Sequence, residues 1–143
     1  MDDATRRAIQ QDCETVEIAM MRAVDLRQYD QAADFFTSSA VLDVGTPLIG
    51  KDAIRAWLVD RPSELRSRHV LTNVLVEVID ADRARVTSLL TLYRDLGESR
   101  AGEPSPLASP AAVGDYSSEL VRIADGWRIQ TRKLDMAFRR SDF

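Results

Sequence analysis

Apolar residues in this chain recur with two different periods, and the changeover falls at Pro62. Before it, Ile9, Cys13, Val16, Met20 and Val24 stand at steps of four, three, four and four within 3–26, the spacing of one buried helical face. A second stripe, Ile18, Met21 and Asp25, makes the end of this long helix apolar nearly all round, with one carboxylate in it. The spacing of Ala32, Phe35 and Phe36 predicts a short second helix over 28–36, closed by a turn at Thr37-Ser38-Ser39. Then come a short strand over 40–44, a turn at Gly45-Thr46-Pro47, and a third helix over 52–59 that Pro62 stops.

Beyond Pro62 the period is two. Residues 69–78 alternate between an aliphatic or Thr face (Val70, Thr72, Val74, Val76, Val78) and a mixed face (His69, Leu71, Asn73, Leu75, Glu77). Asp80-Ala81-Asp82 turns this strand into a partner over 85–94, and Asp125-Gly126, a strong tight-turn dipeptide, joins strands over 116–124 and 127–138. Between the hairpins, 97–110 carries three prolines and reads as a long loop, the most mobile part of the chain. Helices first and meandering strands later predict an α+β fold, a strongly bent antiparallel sheet wrapped around the long N-terminal helix, with two shorter helices.

The 143 residues suit a single domain spanning 1–143. Hydrophobic content of 45% is ordinary, and no apolar run approaches the ~18 residues of a membrane span. The acidic start, Met1-Asp2-Asp3, does not read as a leader, so the expected location is the cytoplasm. Nineteen basic against 23 acidic residues give a net charge of −4 with no basic stripe, which argues against a nucleic-acid partner. One cysteine and one histidine cannot assemble a structural zinc site, and Cys13, on the main helical stripe, reads as an inert packed thiol. Neither a metal nor a dinucleotide cofactor is expected, and Gly50-Lys51-Asp52 lacks the glycine spacing of a phosphate loop.

Asp25-Leu26-Arg27-Gln28-Tyr29-Asp30 closing the first helix, Gly50-Lys51-Asp52-Ala53-Ile54 opening the third, Arg68-His69-Val70-Leu71-Thr72-Asn73 on a strand and Asp125-Gly126-Trp127-Arg128-Ile129 before the last strand occur in a telling order. In that order the chain resembles the SnoaL-like branch of the nuclear transport factor 2-like superfamily. The resemblance implies a cone, in which a curved sheet closes on helices around a ligand cavity. It leaves the chemistry open among dehydratases, a dehydrochlorinase, isomerases, polyketide cyclases, epoxide hydrolases and non-catalytic subunits. Relatives like scytalone dehydratase and the dehydrochlorinase use a strand histidine, an aspartate ending the first helix and an arginine on the last strand, which match His69, Asp25 and Arg132.

His69 is the only imidazole, the side chain poised to exchange protons near neutral pH, though a half-buried histidine bonded to backbone is the blander account. Asp25 either orients it or caps a helix. Arg132 either holds a carboxylate, enolate or leaving group, or pairs across the strands with Glu119. Met20, Met21, Leu71, Asn73, Tyr93 and Tyr116 are candidate contacts for a small apolar or aromatic ligand. The expected chemistry is cofactor-independent proton abstraction by a His69–Asp25 dyad, as in a lyase or isomerase; binding without turnover and cyclase-type chemistry are the alternatives. Val70, Val74, Val76 and Val78 on one face predict cover by a second copy, hence a homo-oligomer, with a dimer the first expectation.

Overall fold

The computed structural model describes residues 1–97 and 102–143. Helix α1 (Asp3–Asp25) starts where Asp2 caps it, its carboxylate accepting from the Thr5 N–H at 2.7 Å. It ends where Arg27 takes φ 60° and Arg27 and Gln28 donate back to Val24 and Ala23. Two short helices, α2 (Tyr29–Asp34) and α3 (Lys51–Val59), flank the strands β1 (Phe36–Asp43) and β2 (Pro47–Ile49). Four long strands follow: β3 (Arg66–Val78), β4 (Arg83–Asp95), β5 (Ala112–Ile123) and β6 (Gly126–Arg139). Among the described residues they form one six-stranded curved sheet, in the order β2-β1-β6-β5-β4-β3, that does not close on itself.

The α+β architecture around the N-terminal helix is as expected, with local corrections. The second helix stops at Asp34, because Phe36 already pairs with Ile129, and the expected turn at Thr37-Ser38-Ser39 is strand. Pro47–Ile49, expected to begin in a turn, forms a hairpin on β1. The sheet is not wholly antiparallel: β1 runs parallel to β6, a pairing between the two ends of the chain that no local pattern announces.

Three one-residue bulges interrupt the long strands, at Asn73, Gln130 and Ala137, and the first two decide which side chains reach the cavity. In β3, Thr72 faces Leu89 while Leu75 faces Thr87, and the extra residue is accommodated at Asn73, whose φ is 53°. Asn is among the few residues that visit this region readily. A phase slip exchanges the faces of a strand. His69 and Leu71 are therefore half-buried before the bulge, and Val74, Val76 and Val78 pack into the core after it, whereas Val70 and Leu75 are exposed. The single aliphatic face expected for this strand is split between the two sides of the sheet. In β6, Leu120 faces Ile129 and Glu119 faces Thr131, so Gln130 is the extra residue. Its amide accepts from Thr37 Oγ1 at 2.8 Å and donates to Ser39 Oγ at 3.3 Å, tying the bulge to the irregular stretch of β1. Trp127 and Ile129 point inward before this bulge and Arg132 after it.

The core between α1 and the concave face holds Ile9, Cys13, Val16, Met20, Val86 and Ile129. Burial, then the nearby Asp12, pushes the Cys13 thiol up to about 12, so it stays protonated. Part of the expected 97–110 loop, residues 98–101, lies outside the described residues. Residues 102–109 line a groove of about 660 Å³ with the first residues of β3. There Arg66 donates to the Glu103 carbonyl at 2.8 Å and Arg140 to that of Ser109 at 2.7 Å.

Candidate active site

Asp25 is the last residue of α1 and meets the start of β3 with both carboxylate oxygens. Oδ1 lies 2.6 Å from His69 Nδ1 and accepts from Ser67 Oγ at 2.9 Å; Oδ2 accepts the His69 backbone N–H at 2.8 Å. The His69 and Asp25 side chains are only 8% and 9% exposed, so water competes little for these bonds. Burial alone would raise the Asp25 carboxyl, but the His69 ring, the His69 N–H and the Ser67 hydroxyl together hold it below its ordinary value. With a carboxylate on Nδ1, that nitrogen carries the proton, so in the neutral ring the lone pair is on Nε2. Among the described residues Nε2 has no hydrogen bond of its own.

His69 opens into a small cavity of about 40 Å³. Met20, Met21 and Val24 of α1 form one wall, Phe36, Leu42 and Val44 a second, and Trp57 and Leu58 of α3 a third. The polar members are His69, Arg61, Tyr116 and Arg132. Ligand pockets run to roughly 300–1,000 Å³, so a ligand larger than a water or two enters only if a wall gives.

Arg132, on β6 beyond the Gln130 bulge, is fully buried and pairs with Glu17 of α1, not with Glu119, which faces Arg85 on the outer side. Its Nη1 also donates to Ser118 Oγ at 3.2 Å, and its guanidinium lies 3.8 Å over the Tyr116 ring. Burial lowers the Arg132 guanidinium from its ordinary value, yet it remains a cation at neutral pH beside the Glu17 carboxylate. Its Nη2 is buried without a partner. Burial also raises the Tyr116 phenol, which stays a neutral O–H.

Of the residues singled out in the sequence, His69, Asp25 and Arg132 gather at the cavity with Met20, Met21 and Tyr116, all but Asp25 lining it directly. Leu71 does not line the cavity and bridges the two halves of the core instead. Asn73 is exposed at its bulge. Tyr93 falls on the other parity of β4 from the buried Ser88, Leu90 and Leu92, and lines the groove by residues 102–109. The sequence reading missed Glu17, Arg61, Ser67 and the lining role of Trp57. Glu17 carried a signal, being four residues from both Cys13 and Met21 and so a charge set into the apolar face; Arg61 carried none.

The SnoaL-like domain family's sequence profile matches residues 4–133. This chain belongs to the SnoaL-like domain family. No curated protein matches its sequence. Among solved structures, this SnoaL-like chain is similar to a provisionally assigned scytalone dehydratase from Novosphingobium aromaticivorans DSM 12444, at 16% identity and TM-score 0.80 over 96% of this chain and 89% of that one. A type 2 hexachlorocyclohexane dehydrochlorinase aligns at 15% identity and TM-score 0.77 over 96% and 90%. A Catenulispora acidiphila protein in complex with S-DNPA aligns at 20% identity and TM-score 0.72 over 91% and 94%. At these identities the likeness is one of fold. Among the described residues no helix of this SnoaL-like chain is long and apolar enough to cross a membrane.

Proposed function

We propose that this SnoaL-like protein is a cofactor-independent lyase or isomerase acting on a small apolar or aromatic molecule. The carrying observation is the 2.6 Å contact between Asp25 and His69 Nδ1, which leaves Nε2 free on a side chain that lines the cavity. Nε2 takes a proton from a carbon next to an activating group, and Asp25 stabilises the resulting imidazolium. The electron pair left on carbon either shifts onto the activating oxygen, after which Nε2 returns the proton to a different carbon to complete an isomerisation, or expels a leaving group to complete an elimination. Arg132 Nη2, a buried donor without a partner, or the Tyr116 O–H stabilises that oxygen or leaving group. A second reading, binding without turnover, draws support from the backbone bond between Asp25 and the His69 N–H, which gives the pair a structural task as well.

Both outcomes share the first step, so exchange at carbon tests it without the natural substrate. 2-Tetralone in D₂O, followed by proton NMR, is expected to lose its α-proton faster with the protein than in buffer. His69→Ala and Asp25→Asn should each cut the enhancement by about 10²–10⁴-fold, and their effects should not add. Exchange at the buffer rate with the wild-type protein would leave the non-catalytic reading in its place.

A further inference from the structure

Two arginines beside the dyad have no part in that chemistry. Arg61 follows α3 and lines the cavity with His69; its Nη2 donates to Ser67 Oγ at 3.1 Å, and its Nε is buried without a partner. Arg94 stands directly across the β3–β4 ladder from Ser67, on the same parity as the inward Leu90 and Leu92. Its guanidinium lies 5.2 Å from the Phe143 ring, and its Nε is likewise buried and unpartnered. Ser67 thus sits between Asp25, which accepts its hydroxyl proton, and these two cations.

The charges around Ser67, between the cavity that Arg61 lines and the groove that Arg94 lines, do not cancel. Arg132 is matched by Glu17 and His69 by Asp25, whereas among the described residues Arg61 has no carboxylate partner. Burial, and then the charge of Arg61, lower the Arg94 guanidinium from its ordinary value, which puts the two cations within electrostatic reach of each other. Two half-buried cations that repel each other and hold unused N–H donors are costly unless an anion joins them, and a guanidinium is suited to planar oxyanions.

We infer that the pocket selects a ligand whose apolar or aromatic body carries an anionic oxygen, a carboxylate or phenolate, and that Arg61, backed by Arg94, is the residue that receives it. The inference rests on the ligand-pocket part of the reading above and not on the proton abstraction. Its probes are benzoate and benzamide, equal in shape and different in charge, titrated by calorimetry and by the NMR shifts of the sole histidine ring.

Benzoate is expected to bind at least about ten-fold more tightly than benzamide. Arg61→Gln, which keeps an amide donor for Ser67, should abolish that preference by weakening benzoate far more than benzamide, while Arg61→Lys should retain it within about three-fold. Equal binding of the two probes to the wild type overturns the inference and leaves the pocket standing. A preference that survives Arg61→Gln overturns the role of Arg61. Failure of both probes to move the His69 signals overturns the ligand class and the ligand-pocket reading together, whatever the exchange experiment gives.

Discussion

Single side chains here carry two tasks at once, and their substitutions separate them. Asp25 both sets the His69 tautomer and fastens the end of α1 to β3. Nitrogen NMR of the one imidazole is expected to read a fixed Nδ1–H tautomer in the wild type and a mixture in Asp25→Asn. The same substitution should cost about 2 kcal/mol at pH 7, since bonds to a buried carboxylate are worth roughly 1.5–3 kcal/mol. The folded Asp25 carboxyl lies below its ordinary 3.8, so its stabilisation is present above about pH 4 and is lost as pH falls through the folded value. Urea titrations of wild type and Asp25→Asn should therefore converge as pH falls below the ordinary 3.8 and through the folded value. A constant gap would mean the carboxylate charge is not what stabilises the junction. Glu17 poses a harder case, because Glu17→Gln strands the Arg132 cation in the core at a cost of about 3–5 kcal/mol. Adding Arg132→Met should recover part of that loss in urea unfolding, as expected of partners in one pair.

At the scale of elements, the bulges and the joints matter more than the helices and strands they interrupt. Asn73 holds a positive φ so that Val74, Val76 and Val78 reach the core while His69 still faces the cavity. Asn73→Gly should leave stability nearly unchanged. Asn73→Val, a β-branched residue forced into the left-handed region, should cost about 1–2 kcal/mol by thermal or urea unfolding. Equal stability of the two variants would mean that the bulge moves elsewhere. The junction of α3 with β3 is held from outside by Arg27, whose guanidinium donates to the carbonyls of Pro62 and Leu65. That clamp fixes the segment bearing Arg61 and Ser67 against the end of α1. Because the cavity is too small for most organic ligands, its α3 wall is the place to yield, and Arg27→Ala is expected to speed ligand entry, read from stopped-flow quenching of Trp57. Unchanged entry rates would put the moving wall on α1 or β1. The elements themselves were readable in advance, since each long one buries a face and so repeats its apolar residues at its own period. The bulges were not, because one inserted residue leaves the alternation on either side intact and only the partner strand reveals the slip.

For the whole molecule, an open sheet leaves its convex side uncovered, and there Val70, Thr91, Val113 and Phe138 form one cross-strand row, with Leu89 beside it. Phe138 is 72% exposed and Val70 42%. Self-association through this side remains our expectation, now carried by the row across four strands and not by β3 alone, and sedimentation at micromolar concentration showing only monomer would remove it. By itself the sequence determined the order and kind of the long elements, α1 and β3 to β6, the burial of α1 along one stripe, and the placing of His69, Asp25 and Arg132 at a strand, a helix end and the last strand. Those are local or near-local facts, written in periodicity and in motifs a few residues long. Only the tertiary structure decided that Arg132 turns inward to Glu17, that Asn73 and Tyr93 leave the cavity, and that Arg61 and Arg94 converge on Ser67. These depend on the register of one strand against another, on a charge meeting its partner far along the chain, as Arg132 meets Glu17, or, for Arg61, on how the turn between α3 and β3 is held against α1, and packing sets all three without a local mark in the sequence.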